Sequence, residues 1–385
     1  MSIKNLLDYF FHSNKISGLL LIFSTIISLI IANSIFGNTY IDFWHTSLFG
    51  KDMHFWINDV LMSVFFLLIG LELERELYVG ELSNFKDALL PLFAAVGGML
   101  VPALFYLFFN YGSDFTSGFG IVMATDIAFA IGVLSLLGKR VPTSLKVFLI
   151  ALAIFDDLGA ILIIAIMYSK GLVISNLLIA VGIFLILLFL NYKKVQNLIP
   201  YIIGGILMWY FIYLSGIHPT IAGVLLAFTI PFSRKKTLSC STMLEDKLHI
   251  PVFYFIIPIF AIANTAIKIE GDFTQIIAQP YSIGIILGLL FGKPIGIFLF
   301  SWLGLKAKLF KLPKNINLKH ILSVGFLGGI GFTMSIFITL LAFKDPAIQN
   351  NAKIAILIAS VTAAIVSLVL LSLSLKKSQS EELLK

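Results

Sequence analysis

Runs of about 20 apolar residues recur along the whole chain, separated by short polar breaks. Wound as a helix, a run of that length covers the roughly 30 Å hydrocarbon core of a bilayer. Twelve can be placed, at residues 16–36, 60–80, 88–109, 119–137, 147–169, 173–192, 199–215, 218–232, 250–268, 282–304, 321–343 and 354–375. In lipid each segment must satisfy its own backbone groups, so these runs read as helices. The predicted fold is an all-α polytopic membrane protein with about 12 transmembrane helices, one domain over residues 1–385. Charge content is decisive here. Only 12% of the chain is charged, against about 25% in a soluble domain, too little polar surface for a soluble protein of this length.

The basic residues give a sidedness. With the N-terminus inside, Lys51, Lys170, Lys268, Lys344 and Lys353 fall on the outer side, Lys293 falls inside a span, and the other 21 of the 27 Lys and Arg lie inside. That asymmetry follows the positive-inside rule and predicts both termini in the cytoplasm of a bacterial cell, with the protein in its inner membrane. The same distribution argues against nucleic acid as a partner, despite the net charge of +7. The run at 16–36 exceeds the 7–15 apolar residues of a secretory signal and reads as a retained first helix. Cys240 is the one cysteine, so no intrachain disulfide forms. No cofactor is expected, and only the tail at 378–385 reads as disordered.

Two spans make poor helices. The fourth carries Thr125-Asp126 amid Gly118, Gly120 and Gly132, and the eleventh contains GFLGGIG at 325–331. An interior glycine costs a helix roughly 1 kcal/mol relative to alanine. Close helix packing would account for glycines; a pair of interrupted helices would instead mark a transporter's binding site. Three carboxylates lie mid-span, Asp126, Asp156 and Asp157, against one ammonium, Lys293. Each such charge costs about 2.5–3.5 kcal/mol at the bilayer centre. One lysine cannot pair three aspartates, so at least one aspartate must be protonated or must bind a cation. Asp156 and Asp157 are adjacent on a helix and point about 100° apart, so one can face a neighbouring helix while the other faces a cavity. Thr125 would add a hydroxyl oxygen, and interrupted helices would add carbonyls and dipole charge. A second cluster, Glu72, Glu74, Arg75 and Glu76 with Glu245, Asp246 and His249, reads either as solvated juxtamembrane charge or as an acidic funnel that gathers cations and responds to pH through the histidine. Asp59 reads as an outer-interface residue and His218, before Pro219, as structural.

Taken together these stretches resemble the NhaA-type sodium/proton antiporters. The resemblance rests on WIND at 56–59, FFLLIGLELERE at 65–76, GGMLVP at 97–102, ATDIAFA at 124–130, FDDLG at 155–159, SGIH at 215–218, FGKPIG at 291–296 and GIGFTMS at 329–335, in order over nearly the whole chain. It implies inverted repeats with interrupted fourth and eleventh helices. This family is among the examples behind the rule about interrupted helices, so the rule adds no independent support here. The resemblance further implies that Asp157 holds the transported sodium and carries protons, with Asp126 nearby. Asp156 would pair with Lys293, Thr125 would lie where the interrupted helices cross, and Glu72, Arg75, Glu76, Glu245 and His249 would regulate the response to pH. It also implies electrogenic exchange of sodium or lithium for protons, a homodimer formed partly through the outer loop at 37–58, and membrane lipid around it. Position 74 is often basic in this family and position 246 often histidine; here they are Glu74 and Asp246, so the pH set-point is expected to be displaced.

Other classes fit less well. An intramembrane aspartyl protease would carry Gly-x-Gly-Asp, whereas Ile154-Phe155 precede the aspartate pair. A channel would show a pore loop or a charged ring. A cation-coupled solute symporter of similar architecture would need a polar substrate cavity, and the spans look too apolar for a large one.

Overall fold

The computed structural model describes residues 14–80, 83–169, 171–233, 239–269, 271–313 and 316–383. Of the basic residues counted for sidedness, Lys4, Lys170, residues 234–236, Lys314 and Lys385 lie outside these. In chain order the helices are α1 (Asn14–Ala32), α2 (Gly37–Trp44), α3 (Met53–Tyr78), α4 (Phe85–Asn110), α5 (Ile127–Ser135), α6 (Thr143–Met167), α7 (Ile174–Tyr192), α8 (Leu198–Leu214), α9 (Ile221–Ala227), α10 (Cys240–Asn264), α11 (Phe273–Ala278), α12 (Pro280–Lys306), α13 (Leu318–Gly328), α14 (Phe332–Ala342) and α15 (Pro346–Leu383). A short antiparallel hairpin, β1 (Ser47–Leu48) and β2 (Lys51–Asp52), precedes α3. α10 and α12 each contain a widened, π-type turn, at Val252–Ile256 and Gly288–Gly292. Each turn holds the residue four before a proline (Pro258, Pro294), whose missing N–H leaves that carbonyl without its helical donor and lets the turn relax.

Among the described residues eight helices are long and apolar enough to cross a membrane, or up to ten if each bent pair counts as one span. The sequence suggested twelve. The run at 218–232 supplies only the seven-residue α9, about 10 Å of helix, bounded by Pro219 and Pro231. α8 stops at 17 residues. The first run breaks after Ala32, and α2 turns away from α1 by 119°. Two further boundaries differ: α10 starts ten residues before the run at 250, and α15 continues through the supposedly disordered tail as far as Leu383. The side chains left exposed on α7 include Leu178, Leu185, Ile186 and Phe189; a helix outer face of that composition belongs in lipid.

The chain divides into two compact units, one of Met1–Phe23, Asn84–Ala160 and Ile269–Lys385, the other of Ser24–Ser83 and Ile161–Lys268. In the first unit α4 and α12 meet backbone to backbone. A Cβ on Gly97 would strike the Gly296 carbonyl, and one on Gly296 would strike the Gly97 carbonyl, so glycine is required on both sides. α15 runs beside α13 and α14, with the Ser367 hydroxyl donating to the Ser323 carbonyl at 2.8 Å. In the second unit α9 lies against α3, where Gly223 lets it approach the Ser63 carbonyl.

Candidate functional site

Two stretches of the first unit lose regular α-helix in its interior. Thr116–Val122 winds as tight 3-10 turns, residues 124–126 are extended, and α5 follows. α13 ends at Gly328, α14 begins at Phe332, and their axes differ by 48°. A Cβ on Gly329 between them would collide with the Leu289 carbonyl. The stretches cross at Asp126, whose N–H donates to the Ile330 carbonyl at 2.7 Å. Asp126 is the N-cap of α5: its Oδ1 accepts from Phe129 N–H at 2.9 Å. Its Oδ2 accepts from both the N–H (3.1 Å) and the hydroxyl (2.5 Å) of Thr333, in the first turn of α14. One carboxylate, 2% exposed, therefore sits at the amide ends of two half-helices, where backbone N–H groups and the aligned dipoles favour negative charge.

One residue earlier, the Thr125 hydroxyl lies 2.7 Å from Asp156 Oδ2 and 2.9 Å from the Gly328 carbonyl. With a single proton, it donates to one of them at a time. Asp156 Oδ2 also pairs with Lys293 Nζ at 2.9 Å, both side chains fully buried. The ammonium donates as well to the Met123 carbonyl at 2.5 Å, and its stem passes about 3.8 Å from where Cβ atoms on Gly98 and Gly328 would be. Asp156 Oδ1 is buried with no hydrogen-bond partner among the described residues. Asp157, 1% exposed, follows on α6.

These contacts reach four of the carbonyls in the interrupted stretches. Met123 accepts from Lys293, Gly328 lies within reach of Thr125, Ile330 accepts from Asp126, and Ile121 accepts from the Ser335 hydroxyl at 2.6 Å. Those carbonyls were expected to serve a cation. Three of these four already have a donor and the Gly328 carbonyl competes with Asp156 for the single Thr125 proton, so the carboxylates are the oxygens best placed to take one. Among the described residues no group of three or more His, Cys, Asp or Glu is placed to hold a resident metal ion.

The second unit assembles the other acidic cluster on α3 and α10. Arg75 Nη1 pairs with Glu245 at 2.6 Å and Nη2 with Glu76 at 3.0 Å. Glu72, half-buried, stands one turn before Glu76. Glu74 is buried and accepts from the Ser241 hydroxyl at 2.8 Å. His249 lies one turn beyond Glu245, its ring 4.7 Å from that of Phe253. Because α10 begins at Cys240, Glu245 is a buried helical residue rather than loop charge.

Three features escaped the sequence reading. Thr333 holds Asp126, although the only hint was a hydroxyl two residues after the last glycine of the eleventh run. Asp59 pairs with His218 at 3.2 Å, and the other ring nitrogen of that histidine is 2.8 Å from the Thr220 hydroxyl; each residue had been read alone. Lys353, counted among the outer-side charges, is buried in α15 at 6% exposure.

The family described as Na+/H+ antiporter 1 matches residues 8–371. The chain belongs to that family. The Na(+)/H(+) antiporter NhaA of Flavobacterium psychrophilum is 58% identical over 378 residues, covering 98% of each chain. That of Cytophaga hutchinsonii is 52% identical over 383 residues, 100% of this chain and 99% of the relative. That of Vibrio parahaemolyticus is 48% identical, covering 97% and 98%. In this member of the Na+/H+ antiporter 1 family, the fold brings Thr125, Asp126, Asp156 and Lys293 together through α5, α6, α12 and the α13–α14 break, while Arg75, Glu76 and Glu245 meet in the other unit.

Proposed function

We propose that this protein is a multi-pass sodium/proton antiporter, not an enzyme, and that residues 1–385 work as a single transport domain by alternating access. The observation that carries the reading is the excess of buried carboxylates in the first unit, three aspartates against Lys293 at the crossing of two interrupted helices and Lys353 farther off in α15. A carboxylate there is neutralised by a proton or by a hard cation that prefers oxygen ligands, and mutual exclusion of the two is antiport. Asp157 is assigned as principal cation and proton carrier, with Asp126 beside it and Thr125 orienting Asp156. Lys293, paired to Asp156, couples proton movement to cation movement. Electrogenic exchange is assigned on the resemblance to the antiporter family. Glu72, Arg75, Glu76, Glu245 and His249 are assigned to pH regulation, with the set-point displaced by Glu74 and Asp246. Lithium is assigned as an alternative cargo, and the protein as a lipid-embedded homodimer of the bacterial inner membrane that contacts its partner through residues 37–58. No observation favours the solute symporter.

The test is proton flux in everted vesicles carrying a fluorescent pH reporter. An acid-loaded lumen is challenged with sodium, lithium, potassium or choline across a pH series. Release triggered by sodium or lithium, and abolished in Asp157→Asn, is expected; the Asp246→His profile should be displaced along the pH axis from the parent's. Silence of the folded parent with every cation at every pH overturns the assignment.

A further inference from the structure

A second buried cation shares the first unit with the aspartates. Lys353 lies in the outer half of α15, and among the described residues neither a carboxylate nor another hydrogen-bonding group holds it. Its position is fixed by the packing of α15 against α14. Gln349 Nε2 donates to the Phe343 carbonyl at 2.7 Å, and the Ser360 hydroxyl accepts from Phe332 N–H at 3.2 Å. Eleven residues separate the two contact points on each chain segment. The segments therefore run antiparallel and in step, which puts Lys353 level with Thr339, in the last turn of α14. Lys353, Ser360 and Ser367 recur every seven residues, so they share one face of the helix. The two serines on that face contact Phe332 and Ser323, so the face that carries the lysine is the one turned to the interrupted pair.

α14 is thus framed by charge at both ends. Asp126 binds its amide end through Thr333, and Lys353 stands at the level of its carbonyl end, where a cation is favoured. Six residues of helix separate Thr333 from Thr339, on the order of 10 Å. The charge balance changes accordingly. Among the described residues, and apart from tyrosines and His320, which closes the cap of α13, the buried ionisable groups of this unit are Asp126, Asp156, Asp157, Lys293 and Lys353. With Lys293 alone the core carries two uncompensated negative charges; with Lys353 it carries one, the charge that a single sodium ion cancels.

We infer that Lys353 is a second counter-charge of the ion site, a positioning residue that holds sodium affinity down so that the ion can leave. This rests on the antiporter reading. Across on the order of 10 Å at an effective dielectric near 20, one unit charge changes the affinity for another roughly tenfold. Apparent KM for sodium is measured in everted vesicles at a pH alkaline enough that protons do not compete, for the parent, Lys353→Met, Lys353→Gln and Lys353→Arg. The neutral variants are expected to lower KM about tenfold, with kcat unchanged or reduced by slow release, and Arg to keep the parent's KM. Structural damage does not tighten binding, so a fall in KM separates the two explanations. A KM within about twofold of the parent in either folded neutral variant overturns the inference. So does failure of both neutral variants to fold while Arg folds, which would make the lysine structural. A parent with no sodium-driven flux would instead overturn the antiporter reading itself.

Discussion

Thr333 supplies two of the hydrogen bonds that hold the Asp126 carboxylate, and only one depends on its side chain. Thr333→Val keeps the shape and the backbone donor but removes the hydroxyl. A hydrogen bond to a charged group is worth about 1.5–3 kcal/mol, so the variant leaves a more basic carboxylate and should lower the apparent KM for sodium roughly tenfold at alkaline pH in the vesicle assay. An unchanged KM would mean that Asp126 does not touch the cation. Lys293 poses the complementary case. Removing one partner of a buried ion pair costs about 3–5 kcal/mol, because the other charge is stranded. Lys293→Met should therefore melt earlier in detergent, and adding Asp156→Asn should restore much of the loss; equal melting of the single and double variants would refute the pairing. Single residues also mark the limits of the sequence. Asp126, Asp156, Asp157 and Lys293 were legible because charge inside an apolar run stands out. Thr333 was not, because a hydroxyl in a helix has many innocent uses. The burial of Lys353 was missed because it sits one residue before an apolar run, where snorkelling to the interface is the usual outcome.

At the scale of the element, apolar run length located most helices but could not say where they start or bend. Pro219 and Pro231 reduce one run to the short α9, and Cys240–Pro251 joins α10 although its mixed polarity reads as loop. The glycines were legible as weak points, yet they serve different ends. Gly329 allows a break, whereas Gly97 and Gly296 allow two unbroken helices to touch. That difference is testable. Gly296→Val places a branched side chain against the Gly97 carbonyl, and overpacking of this kind costs about 1–3 kcal/mol. Lower thermal stability in detergent is expected, with α4 and α12 losing amide protection first; parent-like melting would show that the two helices part easily.

For the molecule as a whole, the basic residues predict an orientation that packing alone does not encode. A reporter fused after Lys377 should read cytoplasmic and one inserted after Lys344 should read outside; the reverse result would invert the side assigned to every loop. The family match over residues 8–371 means that nearly all of the chain is committed to this one architecture. Its site is also assembled from distant parts of the sequence, since Asp126 and Thr333 are 207 residues apart. Ribosomes add roughly 5–20 residues per second, so the aspartate waits on the order of 10–40 s before its threonine has been made. During that interval the nascent protein holds Asp126, Asp156 and Asp157 in or near the bilayer, at first without Lys293 and later without Lys353. A message cut short before codon 293 yields a membrane protein whose buried charges have no answer within the chain, so the order of synthesis makes the ion site the last part of the machine to become stable.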